Sequence, residues 1–217
     1  MRRHVRLALV VLAMGAAVSP RVNAQPYCTL RDPIREIYAL YPAASSYRSL
    51  VHTVDDDARR TVALRLPFEL HRDELGSHTV YAAMMRDTPL GIIHARSEQS
   101  EWGLVEIAWA LDLDLHVVDF HFQRCRAPGR AAVEADGFRS QFTGKSLDEL
   151  RAMLSDDGQR LNAAMISVPE GADDLAAAVV RSGLKTIAVT AIVWREDLER
   201  LRGEARAAAN AAAPRSN

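Results

Sequence analysis

The sequence predicts an α+β fold, an antiparallel sheet with helices packed on it. Three observations carry this expectation. Residues 79–86 and 90–96 are apolar runs rich in strand formers, and they flank a turn at Asp87-Thr88-Pro89, as in a β-hairpin. Downstream, Leu111, Leu113, Leu115 and Val117 alternate with Asp112, Asp114 and His116, which is the period of a strand with one buried face. Past Ala127-Pro128-Gly129 the chain turns mainly to helical stretches, with one further strand expected over 185–194.

Ile34, Ile37, Tyr38 and Tyr41 recur at helical spacing, with Asp32 placed to cap and Pro33 in the first turn, so a short helix is expected over 32–40. Asp55, Asp56 and Asp57 read as a solvated turn, 61–66 as a strand, and 69–77 as a polar loop that leaves His71 and His78 on the surface. After the hairpin, 102–111 and 112–124 read as a strand pair. The apolar phase flips after Val117-Val118 to Phe120 and Phe122, which requires a bulge or a strand covered on both faces. Beyond Ala127-Pro128-Gly129, short helices are expected over 138–142 and 147–154, the second capped by Ser146. Residues 172–181 read as a helix stopped by Gly183, 185–194 as a final strand, and 195–217 as a charged helix running into a frayed alanine-rich tail.

Two segments carry a family likeness: Phe138 with Gln141-Phe142-Thr143-Gly144-Lys145, and the run 161–170 leading into 172–181. They resemble the closing half of the FMN-binding domain of exported flavoproteins, as found in the sodium-translocating NADH:quinone reductase. Leu40-Tyr41-Pro42-Ala43-Ala44 is similar to the start of such modules, and the likeness extends over 36–190. The resemblance implies a domain over 25–194. It implies a flavin phosphate near Lys145, Ser146, Ser167, Glu170 and Gly171, and a membrane or periplasmic redox partner. In the family a threonine of a Ser-Gly-Ala-Thr signature carries FMN through a phosphoester bond. Aligned without gaps, that threonine falls on Glu170 and the signature serine on Ser167. A carboxylate cannot form the ester and repels a phosphate. The resemblance therefore implies either a non-covalent FMN electron carrier or a derivative that has lost the cofactor and kept the scaffold, and the competing reading is a periplasmic binding or accessory module that docks on a membrane complex without any cofactor.

Arg2, Arg3 and Arg6 precede an apolar stretch over 7–18 and the small-residue site Val22-Asn23-Ala24, the layout of a signal peptide (1–24) cleaved before Gln25. The apolar stretch is shorter than the roughly twenty residues of a spanning helix. A periplasmic or secreted protein is expected, with a retained N-terminal anchor as the alternative. Removing Arg2, Arg3, Arg6 and Arg21, with no acid among the first 24 residues, takes 27 Lys+Arg against 28 Asp+Glu to 23 against 28. A mildly acidic body is a poor partner for nucleic acid or anionic lipid. Cys28 and Cys125, an even pair in an oxidising compartment, suggest a disulfide worth about 4 to 5 kcal/mol at most in the chain-entropy account; two buried thiols are the alternative.

Chemistry-bearing residues are few. Glu170, Asp173 and Asp174 crowd the start of the helix after the signature, where they complement the helix dipole themselves. Trp102 and Trp109 are candidates to stack a flavin ring. His94, His116 and His121 lie in or beside strands, and Asp119 with His121 and His94 would give two histidines and a carboxylate if one face held all three. No hydrolase or nucleotide-loop motif occurs, so no catalytic residue is assigned.

Overall fold

A computed structural model describes residues 32–212. The expected signal peptide, Cys28 and the tail 213–217 lie outside the described residues. Strands β1 (Ser46–Val54), β2 (Gly76–Met85), β3 (Thr88–Ser100), β4 (Gly103–Leu111) and β5 (Val117–Arg124) form one antiparallel meander in sequence order. Around it lie α1 (Ile34–Leu40), α2 (Asp56–Ala63), α3 (Arg130–Val133), α4 (Asp136–Arg139), α5 (Leu147–Ala152), α6 (Asp173–Val193) and α7 (Arg195–Ala212). The fold is α+β, as the strand and helix patterns predict.

One cross-strand row, Leu50, Val80, His94, Trp109 and Phe120, runs across all five strands and marks the inner face. α6 and α7 pack on that face, and α2 and α5 flank α6. The opposite, outer face carries Tyr81, Ala83, Ile93, Ala108 and Ala110, which pack against Ile37, Leu40 and Tyr41 of the α1 segment. Tyr41 fixes that segment by donating its hydroxyl to Leu111 O at 2.6 Å, directly over Gly91, where any side chain would strike the phenol. The expected phase flip is a bulge: Leu111 pairs with Val117 and Ala110 with Asp119, so Val118 is the extra residue and Val117, Phe120 and Phe122 all reach the core.

Several expectations are overturned. Residues 61–66 are not a strand; 61–63 end α2 and 64–66 turn out of it, because Asp55 accepts the Ala58 N–H at 2.8 Å and Asp56 and Asp57 fill the first turn, so the acidic run starts a helix. Asp32 is not the cap of α1. Its carboxylate instead accepts the Tyr81 hydroxyl at 2.6 Å, and Pro33 holds the cap position. The alternation over 111–117 breaks into a turn, since Asp112 Oδ1 takes the N–H groups of Asp114 and His116 at 2.9 and 2.8 Å and Leu115 adopts φ +67°.

The largest correction concerns 185–194, which is the second half of α6 and not a strand. Gly183 does not stop that helix. It lets α6 approach Trp109, whose ring would lie 2.9 Å from an added Cβ, while Trp109 Nε1 donates to Ser182 Oγ at 3.0 Å. Thr186 and Thr190 return their hydroxyls to the carbonyls four residues back at 2.7 Å, which satisfies them inside the core. α6 is long and apolar enough to cross a membrane by length and mean hydropathy (1.5), yet 78% of that window is buried within the fold, as in a core helix.

Candidate functional site

The segment 141–145 closes the free edge of β5. Gly144 N–H donates to Val117 O at 2.7 Å, and Val117 N–H donates to Lys145 O at 2.9 Å. Gln141 then reaches across to the second segment, donating Nε2 to Ser167 O at 2.9 Å and accepting the Ser167 N–H on Oε1 at 2.8 Å. The two stretches singled out in the sequence are therefore neighbours in space.

Three of the residues expected to meet a phosphate have donors engaged elsewhere. Ser146 caps α5 in a capping box with Glu149, its N–H and hydroxyl both donating to Glu149 Oε2 at 2.9 Å, and Lys145 Nζ lies 3.2 Å from Glu149 Oε1. The Ser146 backbone and hydroxyl, with Lys145, draw the Glu149 carboxyl down to about 2. Ser167 has its N–H and carbonyl held by Gln141. Glu170 is exposed and Gly171, at φ +71°, turns the chain into α6, whose cap position is Ala172 without a side-chain cap. In the first turn Asp174 Oδ2 accepts the Glu101 N–H at 3.0 Å. The groove of about 420 Å³ at this entrance is lined by Glu101, Asp173 and Asp174 against Arg160 and Arg181, three acids to two bases.

Of the two tryptophans considered for stacking, Trp109 is fully buried against Phe120 and Phe142 and presents no free face. Trp102, at the β3–β4 turn, is 61% exposed. The three histidines do not converge either. His94 faces α6, while His121, opposite Ala108, lies on the outer face, and His116 pairs with Asp112 in the β4–β5 turn. Arg139 grips Asp119, Nε to Oδ1 at 3.0 Å. Among the described residues no group of three or more His, Cys, Asp or Glu side chains is arranged to hold a metal ion. Cys125 is a buried free thiol, its pKa pushed up by burial.

The most conspicuous polar feature of the inner face went unread in the sequence. Glu74, fully buried in a 3-10 turn (Arg72–Glu74), accepts Arg96 Nη2 on Oε2 at 2.8 Å and Lys185 Nζ on Oε1 at 2.9 Å. Lys185 Nζ also lies 2.9 Å from Glu98 Oε2. Burial would raise the Glu74 carboxyl, but Arg96 and Lys185 outweigh it and hold it below its usual range. Burial would likewise lower Lys185, and Glu98 with Glu74 reverses this.

Beside this quartet, His78 donates Nε2–H to Glu74 O at 2.9 Å, so the loop residue expected on the surface is in fact buried. Burial and then Arg96 push His78 down to about 4, and burial, Arg96 and His78 push His94 well below the usual imidazole range. Thr190 spends its hydroxyl proton on Thr186 O, so the 2.9 Å contact with His94 makes Nδ1 the protonated nitrogen. The sequence signals for the cluster were His94, Arg96 and Glu98 at strand period, and Glu74 three residues after His71, the spacing of a capping box.

The arrangement offers no nucleophile paired with a base, and a groove of about 450 Å³ lined in part by His71, Asp73, Glu74 and Lys185 opens beside the buried charges. The Glu74–Arg96, Glu74–Lys185 and Lys185–Glu98 pairs make the quartet a clamp between the 3-10 turn, β3 and α6, while Arg96 Nε and Nη1 are buried without a hydrogen-bond partner. No family model and no curated protein matches the sequence.

Proposed function

We propose that this chain is an exported relative of FMN-binding domains that has kept the scaffold, given up the flavin phosphate seat, and works as a cofactor-free accessory module alongside a periplasmic or membrane partner. The observation that carries this reading is the α6 entrance. A phosphate there would face Asp173 and Asp174 in the first helical turn, with Glu170 just ahead of it, and the Asp174 carboxylate already takes a backbone donor. Lys145, Ser146 and Ser167, the other groups the resemblance offers, have donors engaged with Glu149 or Gln141. The residues present do not fit the group, and no electron-transfer step through a flavin is assigned.

Export is supported by Arg2, Arg3 and Arg6, the apolar stretch behind them and the Val22-Asn23-Ala24 site. The test is to express the full chain with its own N-terminus, recover the periplasmic fraction, and titrate FMN while following flavin fluorescence. A colourless protein beginning at Gln25 that leaves the fluorescence unchanged is the expected result. A yellow protein, or saturable quenching at one flavin per chain, would return the electron-carrier reading.

A further inference from the structure

The two edges of the sheet differ. Segment 141–145 closes the β5 edge, whereas among the described residues β1 pairs only with β2. β1 is nine residues long, its pairing with β2 runs without a register shift, and only Leu50 and Val54 are buried. Soluble proteins blunt such an edge with prolines, lysines, bulges or a covering loop, because its outward backbone N–H and C=O groups otherwise template another strand. Residues 46–54 contain no proline and no lysine, and Arg48 is already held by Glu204 at 3.0 Å. Leu50 O accepts Trp194 Nε1 at 3.0 Å and keeps a second lone pair.

The side chains of β1 decide which strand fits. Its outer face shows Tyr47 and Val51, 36% and 60% exposed. Its inner face shows Arg48 and His52, and His52 Nε2 carries Asp197 Oδ2 at 2.6 Å. A second β1 laid antiparallel about Leu50 pairs the whole strand, with Arg48 opposite His52 of the second copy and Tyr47 opposite Thr53 of the second copy. Directly opposed side chains have Cβ atoms about 4.5–5.5 Å apart. Each Arg48 therefore meets an imidazole that brings the Asp197 carboxylate of the second copy, and opposite charges alternate across the seam. In-register parallel pairing would set Arg48 against Arg48, which is destabilising. On the outer face Tyr47 faces a β-branched Thr53 and lies diagonal to Val51 of the second copy, at about 7–8 Å, within reach of an aromatic ring.

We propose that two copies of this chain join edge to edge through β1, antiparallel about Leu50, into one continuous sheet. The test follows the mass of the mature protein by light scattering over a dilution series reaching about 1 mM, since one strand pair is at the small end of stable interfaces. The mass should rise towards twice that of the monomer. Val51→Lys, a change at an exposed position, should hold it at the monomer with the thermal midpoint of the dilute protein unchanged, while Leu64→Lys, at the 88% exposed Leu64 beyond α2, should dimerise as the wild type does. Tyr47→Cys combined with Thr53→Cys places thiols too far apart to join within one strand but opposite each other between copies, so mild oxidation should yield covalent dimers above the wild-type background. Neither single change should do so. A monomeric mass at every concentration overturns the proposal and leaves the edge to a strand of another protein. So does a dimer that Val51→Lys does not weaken, or cross-linking by one cysteine change as efficient as by the two together.

Discussion

Gln141 holds the backbone of Ser167 from both sides, donating to its carbonyl at 2.9 Å and accepting its N–H at 2.8 Å. This pair welds the edge-closing segment 141–145 to the loop that leads into α6. It also consumes a backbone N–H of the kind that a bound anion would use.

Gln141→Ala should therefore loosen that loop without disturbing the sheet. Because the bonds are at the surface, the loss should be about 1 kcal/mol or less. The distinguishing measurement is amide hydrogen exchange, in which the Ser167 N–H accelerates while amides of β3 and β4 stay protected. Unchanged exchange at Ser167 would mean that the contact contributes nothing in solution.

Lys185→Met should be among the most damaging single changes. It leaves Glu74 and Glu98 facing each other in the core without their shared cation, a situation that costs about 3–5 kcal/mol. Adding Glu74→Gln to Lys185→Met should cost less than the two changes summed, since the pair is in contact. Urea unfolding of the single and double variants measures the coupling, and strict additivity would contradict the clamp.

Gly183→Ala sets two effects against each other. Alanine gains about 1 kcal/mol of helix propensity. Its Cβ, however, would meet the fully buried Trp109 ring at 2.9 Å and Leu150 at 3.2 Å. Overpacking of this kind costs about 1–3 kcal/mol, so a net loss with altered near-ultraviolet tryptophan dichroism is expected.

Acid should weaken the fold early. Between about pH 6.5 and about 4, the unfolded chain binds a proton on His78 that the folded chain refuses, so stability falls as the pH drops through that window, by about 3 kcal/mol in total. His94, held down still further, adds a loss that begins in the same window and continues below it. Glu74 adds a further loss once the pH falls below the ordinary carboxyl range, because its folded value is depressed. His78→Gln, which keeps a donor for Glu74 O, should make the denaturant midpoint fall less steeply between about pH 7 and 5.

How far the sequence reveals this molecule follows from burial. The hairpin of β2 and β3, the bulge at Val118 and the Ser146 cap were legible because one face or one local hydrogen bond fixes them. The second half of α6 was not. Lys185 to Thr190 are buried on every side, so no amphipathic period remains, and Thr186, Ile187, Val189 and Thr190 carry strand propensity that tertiary packing overrides. The same burial hid the clamp: Glu74 falls in the expected polar loop and Lys185 opens the expected strand, and only the fold joins them across 111 positions of sequence. The acidic start of α6 was legible, since Glu170, Asp173 and Asp174 are consecutive or nearly so and the helix begins at Asp173.

Whether the α6 entrance rejects the anion that a flavin domain accepts there is tested most directly by an FMN titration of the purified mature protein. Flavin fluorescence should remain at its free value throughout. Saturable one-to-one quenching in the wild type, abolished by a charge placed at Gly171 but not by one placed on α7, would contradict that rejection.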